Sequence, residues 1–309
     1  MKFTVAIPAY KGKFLKECIE SVLAQSYKDF ELIVVDDASP DNLAEIAASF
    51  DDPRLSYHRN KTNCGAVDVV DNWNKCLAMA KGEYICLMGD DDTMAHDYLM
   101  EMHRLTLKYP KADALHGRTL ETDETGKPTI LYQAWPEHQS VYDLIWHRIS
   151  RLRVTFISDF VFRTSTLKAA GGYYKLPLAW GSDDITSYIA ASKNGIASTN
   201  KVVFHYRRNG LSITQSGNAT HKINAISAEG QWLRTFISSC QPESDEDRLL
   251  ASMIAGHIPT HIGYRKAMVV CQLVRAKRYG ELLSILCKAK KLALPPKQIL
   301  RGILMAWGN

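Results

Sequence analysis

Three acidic groups in this chain have the spacing of working side chains. Gly89-Asp90-Asp91-Asp92 closes the apolar run Glu83-Tyr84-Ile85-Cys86-Leu87-Met88, Asp36-Asp37 closes Phe30 to Val35, and Asp183-Asp184 follows Trp180-Gly181-Ser182. Adjacent carboxylates repel, so a fold that gathers them at a strand end usually neutralises them. A divalent cation held by oxygen ligands would do so and could bridge a second anion, typically a phosphate. A solvated acidic turn is the plain alternative. For Asp36 and Asp37 the alternative is local capping, which suits Asp36 better than Asp37. Asp183 and Asp184 raise each other's proton affinity, which helps a general base; a helix start that favours the dipole is the other reading.

Such groups need a scaffold, and the first hundred residues supply strand and helix patterns in alternation. Phe3 to Pro8 reads as a strand, 13–26 as a helix, and Phe30 to Val35 as a strand covered on both faces. Ser39-Pro40 reads as a helix N-cap with proline behind it, Arg54 to Arg59 as a third strand, 66–81 as a helix, and Glu83 to Met88 as the strand that delivers the acidic run. This alternation predicts an α/β, mostly parallel, doubly wound sheet with its ligand beyond the carboxyl ends of the strands. Neither G-x-G-x-x-G nor G-x-x-x-x-G-K-[ST] occurs, so metal is a better phosphate handle here than a glycine cradle. Further on, Ala112 to Arg118, Thr129 to Tyr132 and Thr155 to Arg163 read as strands and 140–149 as a helix. After about residue 216 the pattern is helical.

The chain has 309 residues, 46% hydrophobic and 23% charged, an ordinary globular composition. The apolar core of the N-terminus is too short for a signal peptide, and no run approaches a membrane span. Seven scattered cysteines without C-x-x-C predict a reduced, cytoplasmic protein with no zinc site. The net charge of +5 is uneven: from Arg265 onward ten basic residues face Glu281 alone. No nucleic-acid partner is expected, and the oligomeric state is left open. Residues 277–292 read as a two-faced helix, and Ile299, Leu300, Ile303, Leu304 and Trp307 share a stripe opposite Lys297 and Arg301. This basic tail could lie on an anionic cytoplasmic membrane face, or pack on the rest of the chain or a second subunit.

In chain order, Val5-Ala6-Ile7-Pro8-Ala9-Tyr10, Cys18 to Tyr27, Phe30 to Ser39, Asn63-Cys64-Gly65, Asn74, Ala80 to Ile85 and Gly89 to Asp92 resemble the inverting glycosyltransferases of family 2, of the bacterial surface-glycan type. The similarity is dense over 3–100, looser to about 215 and absent beyond. It implies a GT-A catalytic domain over 1–215, with a nucleotide-binding half (1–100) and an acceptor-binding half (101–215), then a helical basic extension over 216–309. It also implies transfer of a hexosyl or N-acetylhexosaminyl group from a nucleoside-diphosphate sugar, UDP favoured. The acceptor would be a hydroxyl of a saccharide or glycolipid.

Residue by residue, the resemblance gives Asp37 the base of the nucleotide and Tyr10 the ring beneath it. Ala9, Asn63, Gly65 and Asp90 stand nearby. Asp91 falls at the metal-ligand position for Mn²⁺ or Mg²⁺. Gly89 replaces the usual first aspartate, so Asp90, Asp92 or water is left to complete the shell. Asp184 matches the catalytic base, with Asp183 beside it. His205, Arg207 and Arg208, with Gly210-Leu211-Ser212, resemble a segment that folds back over the donor, where cationic side chains could touch the diphosphate; a solvated basic loop is the alternative. Trp73 stands where the family often has arginine, and reads as a core residue. Two other functions compete: a non-catalytic nucleotide-sugar-binding or membrane-assembly subunit, and a sugar nucleotidyltransferase, for which the turn after the first strand is poorly suited.

Overall fold

The computed structural model describes residues 1–209 and 217–308. β1 (Phe3–Ala9), β2 (Phe30–Asp36), β3 (Leu55–Arg59) and β4 (Tyr84–Leu87) pair in parallel in the order β3-β2-β1-β4. Their apolar runs are continuous because both faces are covered. Phe3, Val5, Ile7, Leu32, Val34 and Cys86 point into one core, and Ala6, Ile33, Val35, Ile85 and Leu87 into the other. Helix α1 (Leu15–Leu23) buries Leu15, Cys18, Ile19 and Val22 in the first core, and α3 (Val69–Met79), after the short α2 (Leu43–Ala48), buries Val70, Trp73, Cys76 and Leu77 in the second.

The sheet continues past β4 as β9-β6-β10-β5 and becomes mixed. β5 is Thr93–Met94, β6 Ala114–Thr122, β7 Pro128–Leu131, β8 His138–Gln139, β9 Phe160–Arg163 and β10 Ile196–Arg207. β9 runs antiparallel to β4 and β6, whereas β6 and β10 are parallel. The remaining helices are α4 (Tyr98–Lys108), α5 (Val141–Ile149), α6 (Thr164–Ala169), α7 (Ser182–Ala191), α8 (Ala219–Ser239), α9 (Asp245–Arg275), α10 (Tyr279–Cys287) and α11 (Pro296–Trp307).

Several local expectations change. The strand expected from Thr155 begins only at Phe160, because Ser158 Oγ and Asp159 Oδ2 accept from the backbone N–H of Gly89 and Phe156 and hold 157–159 in a 3₁₀ turn. Ser39 does not cap α2, which starts at Leu43; its hydroxyl donates to Tyr10 O at 2.5 Å. The expected helix over 66–81 starts as a 3₁₀ turn at 66–68. The twelve-residue β10 has no counterpart in the strand reading, since Ser198 to Lys201 and a register shift between Thr199 and Val202 break its alternation. The two-faced helix expected over 277–292 is α10 alone, with Lys266 Nζ donating to Leu292 O and Ala293 O in the turn that follows. The expected domain limit near 215 lies outside the described residues. Leu233 of α8 and Ile254 and Ile258 of α9 are buried in the same core as α3 and α5.

Candidate active site

β4 ends in a tight turn whose three carboxylates each take defined partners, Lys11 being shared by Asp90 and Asp91. Asp90 Oδ2 accepts from the backbone N–H of Tyr10 and Lys11, both at 2.8 Å, and so ties the β1 loop to the β4 turn. Asp92 is buried and its Oδ1 accepts from Arg207 N at 2.8 Å. Asp91 Oδ2 accepts from Lys11 Nζ at 2.7 Å and Asn209 Nδ2 at 2.8 Å. Burial, with Asp91 close by, pushes the Asp92 carboxyl well up. The Lys11 ammonium is held above its usual range despite burial, because Asp90 and Asp91 flank it. Gly89 has a physical reason to be glycine: a Cβ there would lie 2.6 Å from Asp92 Oδ2.

These residues fit a divalent ion only as an open site. Among the described residues no three His, Cys, Asp or Glu side chains gather to hold one. Asp91 is the accessible carboxylate, with Asp92 behind it at the turn, so phosphate and water oxygens would supply most of the shell.

At the β2 end, Asp36 is the local anchor: it accepts from Ser39 N, Tyr57 Oη and Arg59 Nη1. Asp37 accepts from Cys64 N and Asn60 Nδ2, which draws the exposed Asn63–Gly65 loop to the strand end. Tyr10 is 44% exposed beside it, as a stacking platform must be, and Ala9 is buried in the core beneath. Lys75 Nζ lies 3.2 Å from Cys64 Sγ, a neighbour the sequence reading did not place, yet burial keeps that thiol above its usual range.

Asp183 and Asp184 open α7, after Gly181 in the left-handed region (φ 103°). Asp184 Oδ1 accepts from Arg148 Nε at 2.8 Å and Thr155 Oγ1 at 2.9 Å. Burial opposes its ionisation, but Arg148, Arg265 and the Thr155 hydroxyl outweigh burial and hold it below the usual carboxylate range. Burial and the Asp184 charge push Asp183 up to about 7 against the pull of Arg148 and Arg265. A cavity of about 620 Å³ runs between this pair and the β4 turn, where Gly89, Asp92 and Arg208 line it; Trp73, a core residue of α3 as expected, reaches its edge.

Two residues expected at the diphosphate have their side chains engaged elsewhere. The Arg207 side chain is withdrawn from the cavity: it donates to Asp91 O, Glu124 O and Glu17 Oε2 and lies over the Phe14 ring. His205 lies within the sheet between β6 and β5, its Nδ1 3.4 Å from Thr93 Oγ1, and burial lowers its pKa. Arg208 does line the cavity, beside Glu121 at 3.0 Å. Gly210-Leu211-Ser212 lie outside the described residues. Lys11, Arg148, Thr155, Asn209 and Arg265 were missed by sequence reasoning; only Lys11, next to the Tyr10 motif, carried a signal.

The family model described as Glycosyl transferase family 2 matches residues 4–166, over half the chain, and the chain belongs to that family. It is 33% identical over 125 residues to the glycosyltransferase GlyG of Streptococcus pneumoniae, covering 40% of each chain. To GlyA of the same organism it is 26% identical over 183 residues, 58% of this chain and 24% of that one. The matches thus span less than half the length of these relatives. Among solved structures, S. aureus TarS 1-349 in complex with UDP-GlcNAc superposes with a TM-score of 0.67 at 17% identity, covering 99% of this chain and 91% of that one. The mannosyltransferase PcManGT from Pyrobaculum calidifontis, in complex with GDP-Man and Mn²⁺, gives 0.57 at 17% identity, covering 99% and 87%. These two show a shared α/β fold.

Proposed function

We propose that this chain moves a sugar from a nucleoside-diphosphate donor to an acceptor hydroxyl, with inversion at the transferred carbon. The observation that supports this reading is one cavity lined both by residues of the β4 turn and by the Asp183–Asp184 pair. In-line displacement needs a leaving-group site and a proton acceptor on opposite sides of one space.

The nucleoside would lie on Tyr10 and donate an imide N–H to Asp37, which favours uracil and a UDP-sugar carrying a hexosyl or N-acetylhexosaminyl group. Lys11 and Arg208 would meet the diphosphate. A Mn²⁺ or Mg²⁺ ion at Asp91 and Asp92 would add positive charge for the departing diphosphate. The acceptor hydroxyl gives its proton to the acid pair as its oxygen closes on the sugar carbon. Resemblance assigns that role to Asp184, but its Oδ1 is committed to Arg148 and Thr155, so Asp183 is the better acceptor and Asp184 its anchor.

Residues 1–215 would carry the donor and acceptor sites, split near 100 into donor and acceptor halves, with Arg265 of α9 completing the cavity wall. The acceptor would be a surface polysaccharide or lipid-linked glycan at the cytoplasmic face of the membrane. For such an approach α11 offers Leu300, Leu304 and Trp307, exposed at 59, 62 and 80%, beside Lys297.

The test is hydrolysis and calorimetric binding of a panel of UDP- and GDP-sugars, with and without Mn²⁺. Asp91→Ala should lose metal-dependent donor binding. Asp183→Asn should bind the donor but turn over about 10²–10⁴-fold more slowly. Binding without turnover by the wild type would favour the non-catalytic subunit.

A further inference from the structure

We infer that Arg265, supplied by α9 outside the family match, is a positioning residue for the acid pair and sets the placement and charge environment of Asp183. Arg265 lines the same cavity as Asp183 and Asp184. Its Nη1 is ion-paired with Glu229 Oε2 of α8, and Glu229 Oε1 lies 3.3 Å from His261 Nε2. His261 Nδ1 in turn lies 3.1 Å from Ile149 O, the end of α5 and the residue after Arg148. The Glu229–Arg265 pair sits directly against the start of α7: a Cβ on Gly181 would stand 3.3 Å from Glu229 Oε2 and 3.4 Å from Arg265 Nη1. Trp180, just before, has its ring under Lys222 and Arg265.

The charges explain why this matters. Asp184 on its own helix, Arg148 on α5 and Arg265 on α10's neighbour α9 act on Asp183, with Glu229 and His261 attached to Arg265. Asp92, Glu121 and Arg208 stand elsewhere around the cavity, and Tyr188 lies further along α7. Within the inner cluster three carboxylates (Asp183, Asp184, Glu229) face two guanidinium groups (Arg148, Arg265). One negative charge is left over, which a proton taken from an acceptor hydroxyl would cancel. Without Arg265 two would remain, and Asp183 would hold its proton to higher pH. The helical C-terminal region therefore belongs to the active site in this account, which rests on the proposed base.

The experiment is the pH profile of kcat/KM for donor hydrolysis, using the panel's best-cleaved sugar nucleotide, from about pH 5 to 9. Arg265→Gln should move the acid limb up by about one pH unit, a roughly tenfold loss on the acid side with recovery on the alkaline side. Arg265→Lys, which keeps the charge, should leave the limb in place. Glu229→Gln, which removes an anion and keeps Arg265, should move it down. Donor KM should stay unchanged in all three. A uniform loss at every pH, or shifts of the same sign for Arg265→Gln and Glu229→Gln, would overturn the inference. If Arg265→Gln does not fold, Arg265→Lys and Glu229→Gln still decide it by the same signs. Failure of the base itself reads differently: Asp183→Asn would then keep the wild-type rate and limb.

Discussion

At Gly89 the resemblance leads one to expect a carboxylate, and packing gives glycine a reason to stand there instead. Asp92 folds its own carboxylate back over the turn, and any side chain at 89 would collide with it. Gly89→Ala should cost about 1–3 kcal/mol of stability, read as a lower midpoint in urea unfolding. Asp183 carries the clearest pH signature. Its carboxyl is pushed up to about 7, and only the ionised form accepts a proton, so turnover should rise with pH through that value. A wild-type profile flat from about pH 5 to 8 would remove Asp183 from the role. The acidic residues themselves were legible in the sequence because each group is contiguous and closes an apolar run or follows a distinct motif. Their partners were not: Arg148 and Thr155 are 36 and 29 residues from Asp184 and carry no motif.

Elements decide which acid points where. The loop before α7 is pinned to α3 by Asn74, whose Oδ1 accepts from Tyr173 N at 2.8 Å and whose Nδ2 donates to Tyr173 O at 3.3 Å. Asn74→Ala should leave both backbone groups short of a partner, lowering stability by roughly 1–3 kcal/mol. Turnover should fall more than donor affinity, since Tyr173 leads to the acid pair rather than to Asp37; equal losses in both would contradict this. The parallel strands β1 to β4 were readable because both-face burial writes continuous apolar runs. β10 was not, because Ser198 to Lys201 interrupt its pattern and pairing with β6 stabilises it instead. That strand also turned Arg207 into a brace for the loop, whereas its position in the sequence had pointed at phosphate.

Over the whole molecule, the tail that reads as one apolar stripe is divided by packing. Gly302 is buried against Val270 of α9, with Ile299 and Ile303 in the same small core, while Leu300, Leu304 and Trp307 remain outward. Among the described residues no helix is long and apolar enough to cross a membrane. We propose surface attachment for the outward side chains; a second subunit is the alternative that the same stripe allows. Sedimentation with vesicles containing anionic lipid should bind the wild type, weaken in high salt and drop several-fold for Trp307→Ala with Leu304→Ser. Binding equal to that of neutral vesicles, or unaffected by the double variant, would assign the stripe to something else.

The sequence by itself determined the family, the alternation of strand and helix over the first hundred residues, and the placing of carboxylates at strand ends. These are local matters of periodicity and residue type, and they are written contiguously. Only the tertiary structure decided that Asp184 is held by Arg148 and Thr155, that Lys11 sits between Asp90 and Asp91, and that Arg265 reaches the cavity from a helix beyond the family match. Those facts depend on which distant side chains share a buried space. There desolvation makes each partner decisive, and no spacing along the chain records it.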